Sequence, residues 1–373
     1  MVKDIEKVEN AEEAPTLEAT PVDIKEHDSQ EETYKEMSPL RLVVRRFFRS
    51  KLSIVGVVMI ILLFLFSFMG PLMCHMTGYG KSWIGDAWKN DGSIETTVDR
   101  TEVTNVYETT FTYTDPDGNE VTIIQQVEIT TQTNAKAKPS KDHFLGTDSQ
   151  GRDIFVRLMY GGRISLSIGF IVIILETIIG VILGGIAGYF GKWVDQVIMR
   201  IVDIFNCIPT LPILLIASAL LDGWHLPDSS RIYWLMVIIT IFGWSGTARL
   251  VRGQILSLRE QEYITATEVM GLPTWRKIFK HLIPNVMPQL IVSMTLGLGS
   301  VILYESTLSY LGLGVQLPYA AWGTMISSCN DPVVLQYYSN MWLPAGFMIV
   351  LAVLGFNFVG DGLRDAMDPK AKK

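Results

Sequence analysis

Apolar residues run almost unbroken through Leu52 to Cys74, Ile164 to Gly188, Ile204 to Leu221, Ile232 to Ala248, Val286 to Leu311 and Met341 to Gly360, with polar residues gathered between them. Runs of this length suit a hydrocarbon core of about 30 Å, so the pattern predicts six membrane-spanning helices. Arg41, Arg45, Arg46, Arg49 and Lys51 precede the first run, Arg249, Arg252 and Arg259 follow the fourth, and Arg364, Lys370, Lys372 and Lys373 follow the sixth. Basic residues favour the cytoplasmic side, which sends the first span outward and leaves both termini inside. Gly312 to Asn340 has neither Lys nor Arg, as an outer loop should. Within it Leu317, Tyr319, Trp322, Met325 and Ile326 predict a short helix tucked against the mouth of the bundle.

The segments between the spans carry their own patterns. Residues 1–37 are rich in Glu, Pro, Thr and Lys and poor in large apolar residues, which reads as a disordered acidic cytoplasmic tail. Ser38 and Pro39 supply an N-cap and a first-turn proline. From there to residue 51, Leu40, Val43, Val44, Phe47 and Phe48 share a face opposite the arginines, predicting an amphipathic helix on the membrane surface. The outer segment 75–163 contains an insert at about 76–141. Its Val106 to Thr114 and Glu120 to Thr131 are rich in Thr, Val, Ile, Tyr and Phe around the turn-forming sequence Asp115-Pro116-Asp117-Gly118-Asn119, and predict a β-hairpin. Gly191 to Arg200 reads as a short inner turn, and Pro209 and Pro212 as kinks in the third span.

The most telling stretch is a polar and basic island at 259–285, where a membrane protein should have a plain loop. Tyr263, Ala266 and Met270 share one helical face. Gly271 can end that helix in left-handed geometry, and Pro273 suits the start of another. The second helix places Trp275, Ile278 and Phe279 on one side, Arg276, Lys277 and Lys280 elsewhere, and stops before Pro284. A helix pair with an apolar ridge is built to dock into another protein; an interfacial re-entrant hairpin is the alternative.

Here the residues carry a resemblance. Thr265-Ala266-Thr267, then Gly271, Leu272 and Pro273, and His281-Leu282-Ile283-Pro284 are similar to the EAA loop of ATP-binding-cassette importer permeases. Thr265 stands where that family usually has glutamate and Thr267 where it has a second alanine. EYITATEVMG, FKHLIPNVMPQLIV, ESTLSYLGLGVQ, AWGTMIS and NFVGDGLRDAMDP, with FLGTDSQGRD and GYFGKWVDQVIMRIVD, resemble the C-type subunit of oligopeptide and dipeptide permeases over most of Pro39 to Pro369. The resemblance implies an all-α polytopic protein of the type I importer permease fold, with a core domain at 164–368, a basic end at 369–373 and the β-hairpin as an extracytoplasmic insertion. It implies a multi-pass subunit of a prokaryotic cytoplasmic membrane that translocates peptides by alternating access. Its partners would be a second homologous permease subunit, two cytoplasmic ATPase subunits, an extracytoplasmic peptide-binding protein, and membrane lipid. The ATPases would hold ATP and Mg, this chain having no cofactor of its own. ATPase coupling falls to Thr265, Ala266, Thr267, Gly271, Leu272, Pro273, Trp275, Ile283 and Pro284.

Glu176 lies mid-span, and Gly180, Gly184 and Gly188 follow it at four-residue intervals. A carboxylate there should face the bundle, and the glycine stripe allows a close helix neighbour. Glu176 and Glu305, the latter near the outer end of the fifth span, are candidates for the translocation path; helix packing is the alternative role.

Composition narrows the classes. The 373 residues are 49% hydrophobic, 18% charged, with a mean hydropathy of +0.28, too apolar for an ordinary soluble protein. The net charge of −7 comes from the acidic tail, and no basic patch interleaved with aromatics suggests nucleic acid. Gly146 to Asp153 (GTDSQGRD) misses the phosphate-loop pattern by having Arg152 and Asp153 in place of Lys and Ser/Thr, so the chain should not hydrolyse ATP. Cys74, Cys207 and Cys329 have no metal spacing, a Cys74–Cys329 disulfide stays open, and five scattered histidines build no catalytic or metal cluster. A related permease carrying nickel chelates, glutathione or haem-like molecules, and an ion-coupled secondary transporter using the two glutamates, are the competing readings.

Overall fold

The computed structural model describes residues 39–77, 79, 100–104, 109–114, 116–117, 120–125, 129–224, 227–316 and 319–368. The acidic tail, most of the segment around the insert, Leu317 and the basic end lie outside the described residues. Helix α1 (Pro39–Phe47) is followed by α2 (Lys51–Phe64), a five-residue π-helical segment (Leu65–Met69) and α3 (Gly70–Thr77). After four strands come α4 (Ile154–Phe190), α5 (Lys192–Cys207), α6 (Thr210–Gly223), α7 (Asp228–Leu258), α8 (Glu262–Val269) and α9 (Thr274–Arg276). A second π segment (Lys277–Leu282) then leads into α10 (Ile283–Tyr310). Two short helices, α11 (Trp322–Ile326) and α12 (Pro332–Tyr337), precede α13 (Ser339–Met367).

Among the described residues, five helical stretches are long and apolar enough to cross a membrane, and the α5–α6 pair makes a sixth if it counts as one span. That pair bends by 84° at the break that holds Pro209, so the kink expected there divides the run into two helices, while Pro212 lies within the first turn of α6. The expected inner turn at 191–200 is instead the first half of α5. Ile208, extended at ψ 125° before Pro209, breaks the helix because proline disfavours α geometry in the residue preceding it.

Helix α4 starts ten residues earlier than its apolar run. Asp153 accepts a hydrogen bond from the Val156 amide at 2.8 Å and caps it. Two arginines sit in this extension, and they are held differently. Arg163 donates to the carbonyls of Ser67 and Phe68 at 2.9 and 2.8 Å, within the first π segment. Arg157 approaches Asp148.

The bundle is held by small residues. On α4, Gly180, Gly184 and Gly188 abut Thr247, Ala248, Val251 and Ile255 of α7, so closely that any Cβ would collide. The predicted stripe thus faces α7. Gly56 of α2 meets Gly355 of α13, and Gly362 meets Ser53 and Phe47, which seats the end of α1 on α13. The largest apolar cluster joins Leu158, Leu166, Leu235, Ile302, Trp322 and Ala352; a second, at the opposite end of α4, joins Val251, Ile255, Ile264, Ile278, Leu282, Val286 and Leu290.

The strands form two antiparallel pairs. β2 (Thr109–Thr114) and β3 (Glu120–Gln125) pair with Thr109 opposite Gln125, around the Asp115–Asn119 sequence. β1 (Arg100–Thr104) pairs with β4 (Ile129–Thr133), so the single strand expected over Glu120 to Thr131 is two, each with its own partner.

Candidate functional site

The island at 259–285 folds as two helical legs around Gly271. Gly271 has φ +68°; its amide donates to Glu268 O at 2.9 Å, and the Leu272 amide to Thr267 O at 3.2 Å. These two bonds satisfy the last carbonyls of α8 in the glycine-terminated C-cap. A Cβ at Gly271 would meet nothing within 4 Å, so backbone geometry and not crowding calls for glycine.

The inner face of the turn is anchored. Ile264, Ile278 and Leu282 are buried against Val251 and Ile255 of α7. Arg259 donates to the carbonyls of Gly188 and Tyr189 at 3.2 and 3.3 Å, where a cation suits the C-terminus of α4. Lys277 lies 3.4 Å from the Glu268 carboxylate and 5.8 Å from the centre of the Tyr189 ring. Asn285 reaches the His281 carbonyl at 2.7 Å and the Tyr263 hydroxyl at 3.3 Å.

The outer face is bare and apolar. Val269 is 85% exposed, Met270 69% and Trp275 64%, with Phe279 and Tyr263 beside them. Of the nine expected coupling residues, Thr265, Ala266, Gly271, Pro273, Trp275 and Pro284 are exposed, Leu272 and Ile283 half-buried, and Thr267 buried. Thr267 donates to its own helix at Ile264 O, 2.6 Å, which lets a hydroxyl sit inside.

Two expectations need correcting. Ile278 belongs to the buried face and does not join Trp275 and Phe279 on the ridge. The second leg does not stop before Pro284: residues 274–310 make one helical stretch. A proline ring clashes with the carbonyl four residues back, and the wider π register at 277–282 relieves that position. Sequence reasoning missed Arg259, Lys277 and Asn285 as braces, because each reaches a partner outside its own helical neighbourhood.

The two acidic candidates lie elsewhere. Glu176 is buried on α4, its carboxyl pressed onto Gly243 of α7, where a Cβ would overlap it. Glu305 is 0% exposed and accepts hydrogen bonds from Ser309 at 2.7 Å, Ser165 at 2.9 Å and Ser306 at 3.4 Å. Ser165 in turn accepts from the Trp322 amide at 3.3 Å, and Trp322 Nε1 donates to Leu158 O at 3.0 Å. The structure brings neither acid to the Gly271 turn, nor the two acids together.

The GTDSQGRD segment forms the turn that starts α4. Asp148 accepts from the amides of Gln150 and Arg152 and from Arg152 Nε at 2.6 Å. Asp153 also meets His143 Nδ1 at 2.8 Å and the Tyr79 hydroxyl at 2.9 Å. Burial, then the neighbouring Asp153, hold that phenol well above its usual range, so it donates as a neutral hydroxyl. Cys74, Cys207 and Cys329 are free thiols.

Comparison with known proteins adds to this geometry. A family described as binding-protein-dependent transport system inner membrane component matches residues 180–373, more than half of the chain. The chain belongs to that family. The N-terminal TM domain of oligopeptide transport permease C matches residues 38–84 of this inner membrane component, spanning α1 to α3. The oligopeptide transport system permease protein OppC of Bacillus subtilis is 45% identical over 240 residues, 64% of this chain and 76% of that protein. The dipeptide transport system permease protein DppC of the same organism is 41% identical over 241 residues, 65% and 73% of the two chains. A chain of the inward-facing MetNI methionine ABC transporter aligns with 57% of this chain and 96% of its own, at 20% identity and a TM-score of 0.41.

Proposed function

We propose that this chain is a membrane-spanning subunit of an importer that carries oligopeptides or dipeptides across the cytoplasmic membrane, driven by ATP hydrolysis in partner subunits. The observation that carries the reading is the turn at Gly271: an apolar ridge of Tyr263, Val269, Met270, Trp275 and Phe279 exposed on one face, and a buried face bolted to α4 and α7 on the other. An exposed apolar patch on a rigid mount is an interface awaiting a partner. The relatives named for oligopeptide and dipeptide transport support the cargo. The partner at this turn is a cytoplasmic ATPase subunit, one of two, and these carry the ATP and Mg. A second homologous permease completes the membrane domain, and an extracytoplasmic binding protein delivers peptide. Both termini are cytoplasmic, and the strand pairs lie outside as an insertion.

The mounting gives the ridge leverage. Arg259 and Lys277 tie the turn to the end of α4, and the second leg continues without interruption into α10, so displacement of the ridge moves both helices as rigid bodies. Glu176 lies where α4 and α7 touch, and we assign it to the polar lining that such motion exposes.

Co-purification from detergent-solubilised membranes tests this. The native chain should bring down ATPase subunits and a second permease. Gly271→Asp sets a charge beside the ridge with no neighbour to clash against, on a left-handed backbone that aspartate tolerates better than most residues, and should lose the ATPases while keeping the second permease. Gly271→Val tests the turn itself, since a β-branched residue at φ +68° costs roughly 1–2 kcal/mol. Recovery of ATPases at native levels with the Asp variant would remove the ridge from the mechanism.

A further inference from the structure

At the end of the bundle opposite the Gly271 turn, the loop before α4 and the helices α11 and α13 line a cavity of about 110 Å³ that is open on one side. Arg152, Arg157, Asp148, Thr324 and Ser328 contribute to its lining. Arg152 is 7% exposed and Arg157 3%. In each, Nη1 is buried and has no hydrogen-bond partner. Their Nε groups face the single carboxylate of Asp148, at 2.6 Å for Arg152 and 3.7 Å for Arg157. Asp153, the other acid of the turn, is already engaged by His143, Tyr79 and the Val156 amide. Two guanidinium groups therefore share one carboxylate, leaving one positive charge and two unmet donors at a buried site. The first turn of α4 borders the cavity through Ile154, which adds the favourable end of a 37-residue helix for an anion.

We propose that this cavity binds a carboxylate. A monoanion neutralises the surplus charge, and its two oxygens match two guanidinium donors in the geometry that arginine favours. A divalent phosphate would overshoot the charge and face Asp148. With a water occupying about 30 Å³ of liquid, the space holds a carboxylate and a water or two. The assignment stands independently of the cargo and of the ATPase interface.

The test is thermal unfolding of the full-length chain in detergent, followed by tryptophan fluorescence, with sodium acetate titrated against sodium chloride at equal ionic strength. Acetate should raise Tm by about 3 °C and chloride should not. Arg157→Gln should abolish the response. Because that variant can fail on folding grounds alone, Ser328→Glu provides a second arm: a carboxylate supplied from the rim of the cavity should leave Tm at or above the native value and remove the acetate effect. Equal shifts with acetate and chloride, or an undiminished acetate response in Ser328→Glu, would mean that the cavity holds water only. An aspartate blocked at both backbone ends and an N-acetylglycine separate the sources: a larger shift with the first assigns the site to an acidic side chain, with the second to a peptide terminus.

Discussion

Glu176 and Glu305 are both buried carboxylates on long apolar helices, and they keep opposite company. Glu305 is enclosed by three serine hydroxyls, and through Ser165 it is joined to the backbone of α11. Glu176 rests on the bare backbone of Gly243, and among the described residues no side chain donates to it. A buried acid surrounded by donors from its own chain works as a fastener, because its hydrogen bonds join elements that would otherwise slide. A buried acid seated on glycine has acceptor capacity left over, which suits one that meets a partner only when helices part.

The contrast can be broken at its strong end first. Glu305→Ala strips the shared acceptor from three buried hydroxyls at once and should destabilise the chain by about 3 kcal/mol, read as a lowered Tm in detergent. A loss under about 1 kcal/mol would show that the serines find other partners and that Glu305 fastens nothing. Next comes Gly243→Val, where the added carbons overlap the Glu176 carboxyl; overpacking of this kind costs about 2 kcal/mol. Glu176→Ala in the same chain should restore at least half of that loss, since the clash is with one named group; additive effects in the double variant would place the strain elsewhere. The smallest effect belongs to Glu176→Gln, which preserves shape and should change stability by under about 0.5 kcal/mol. Peptide uptake by proteoliposomes of the whole transporter should nonetheless fall or change its preference for peptide charge, and unaltered uptake would return Glu176 to plain helix packing.

Much of this arrangement was legible in sequence for a physical reason: periodicity reports which face is buried, and composition reports how long a helix stays apolar. The Glu176–Gly188 stripe gave its face correctly, and Gly271 gave the turn, since few residues other than glycine take positive φ there cheaply. Partners far apart in sequence left no such mark. The second apolar run begins only at Ile164, while the helix begins at Ile154, and Arg163 within that extension is absorbed by carbonyls some ninety-five residues earlier. Pro284 looked like a stop because its neighbours were assumed to be α-helical. Ile278 was placed on the docking ridge for a related reason: an α-helical wheel groups it with Trp275, while the folded chain turns it toward Leu282 and α7. Nothing local announced that β1 would pair with β4 across the other two strands.

That misplacement of Ile278 points to what the segment 277–282 does over a longer distance. A π-bulge amounts to one residue more than an α-helix needs for the same advance, and one residue is about 100° of rotation. The two halves of the 274–310 helix are therefore out of phase by about a quarter of a circumference, and the azimuth of Trp275 is set independently of the apolar seam that α10 presents to the bundle. Deleting a single residue inside the segment would bring the two halves back into phase. It would swing Trp275 and Phe279 around the helix axis and pull Ile278 and Leu282 out of their buried seat against α7, so one short segment sets both where the ridge points and how the turn is anchored.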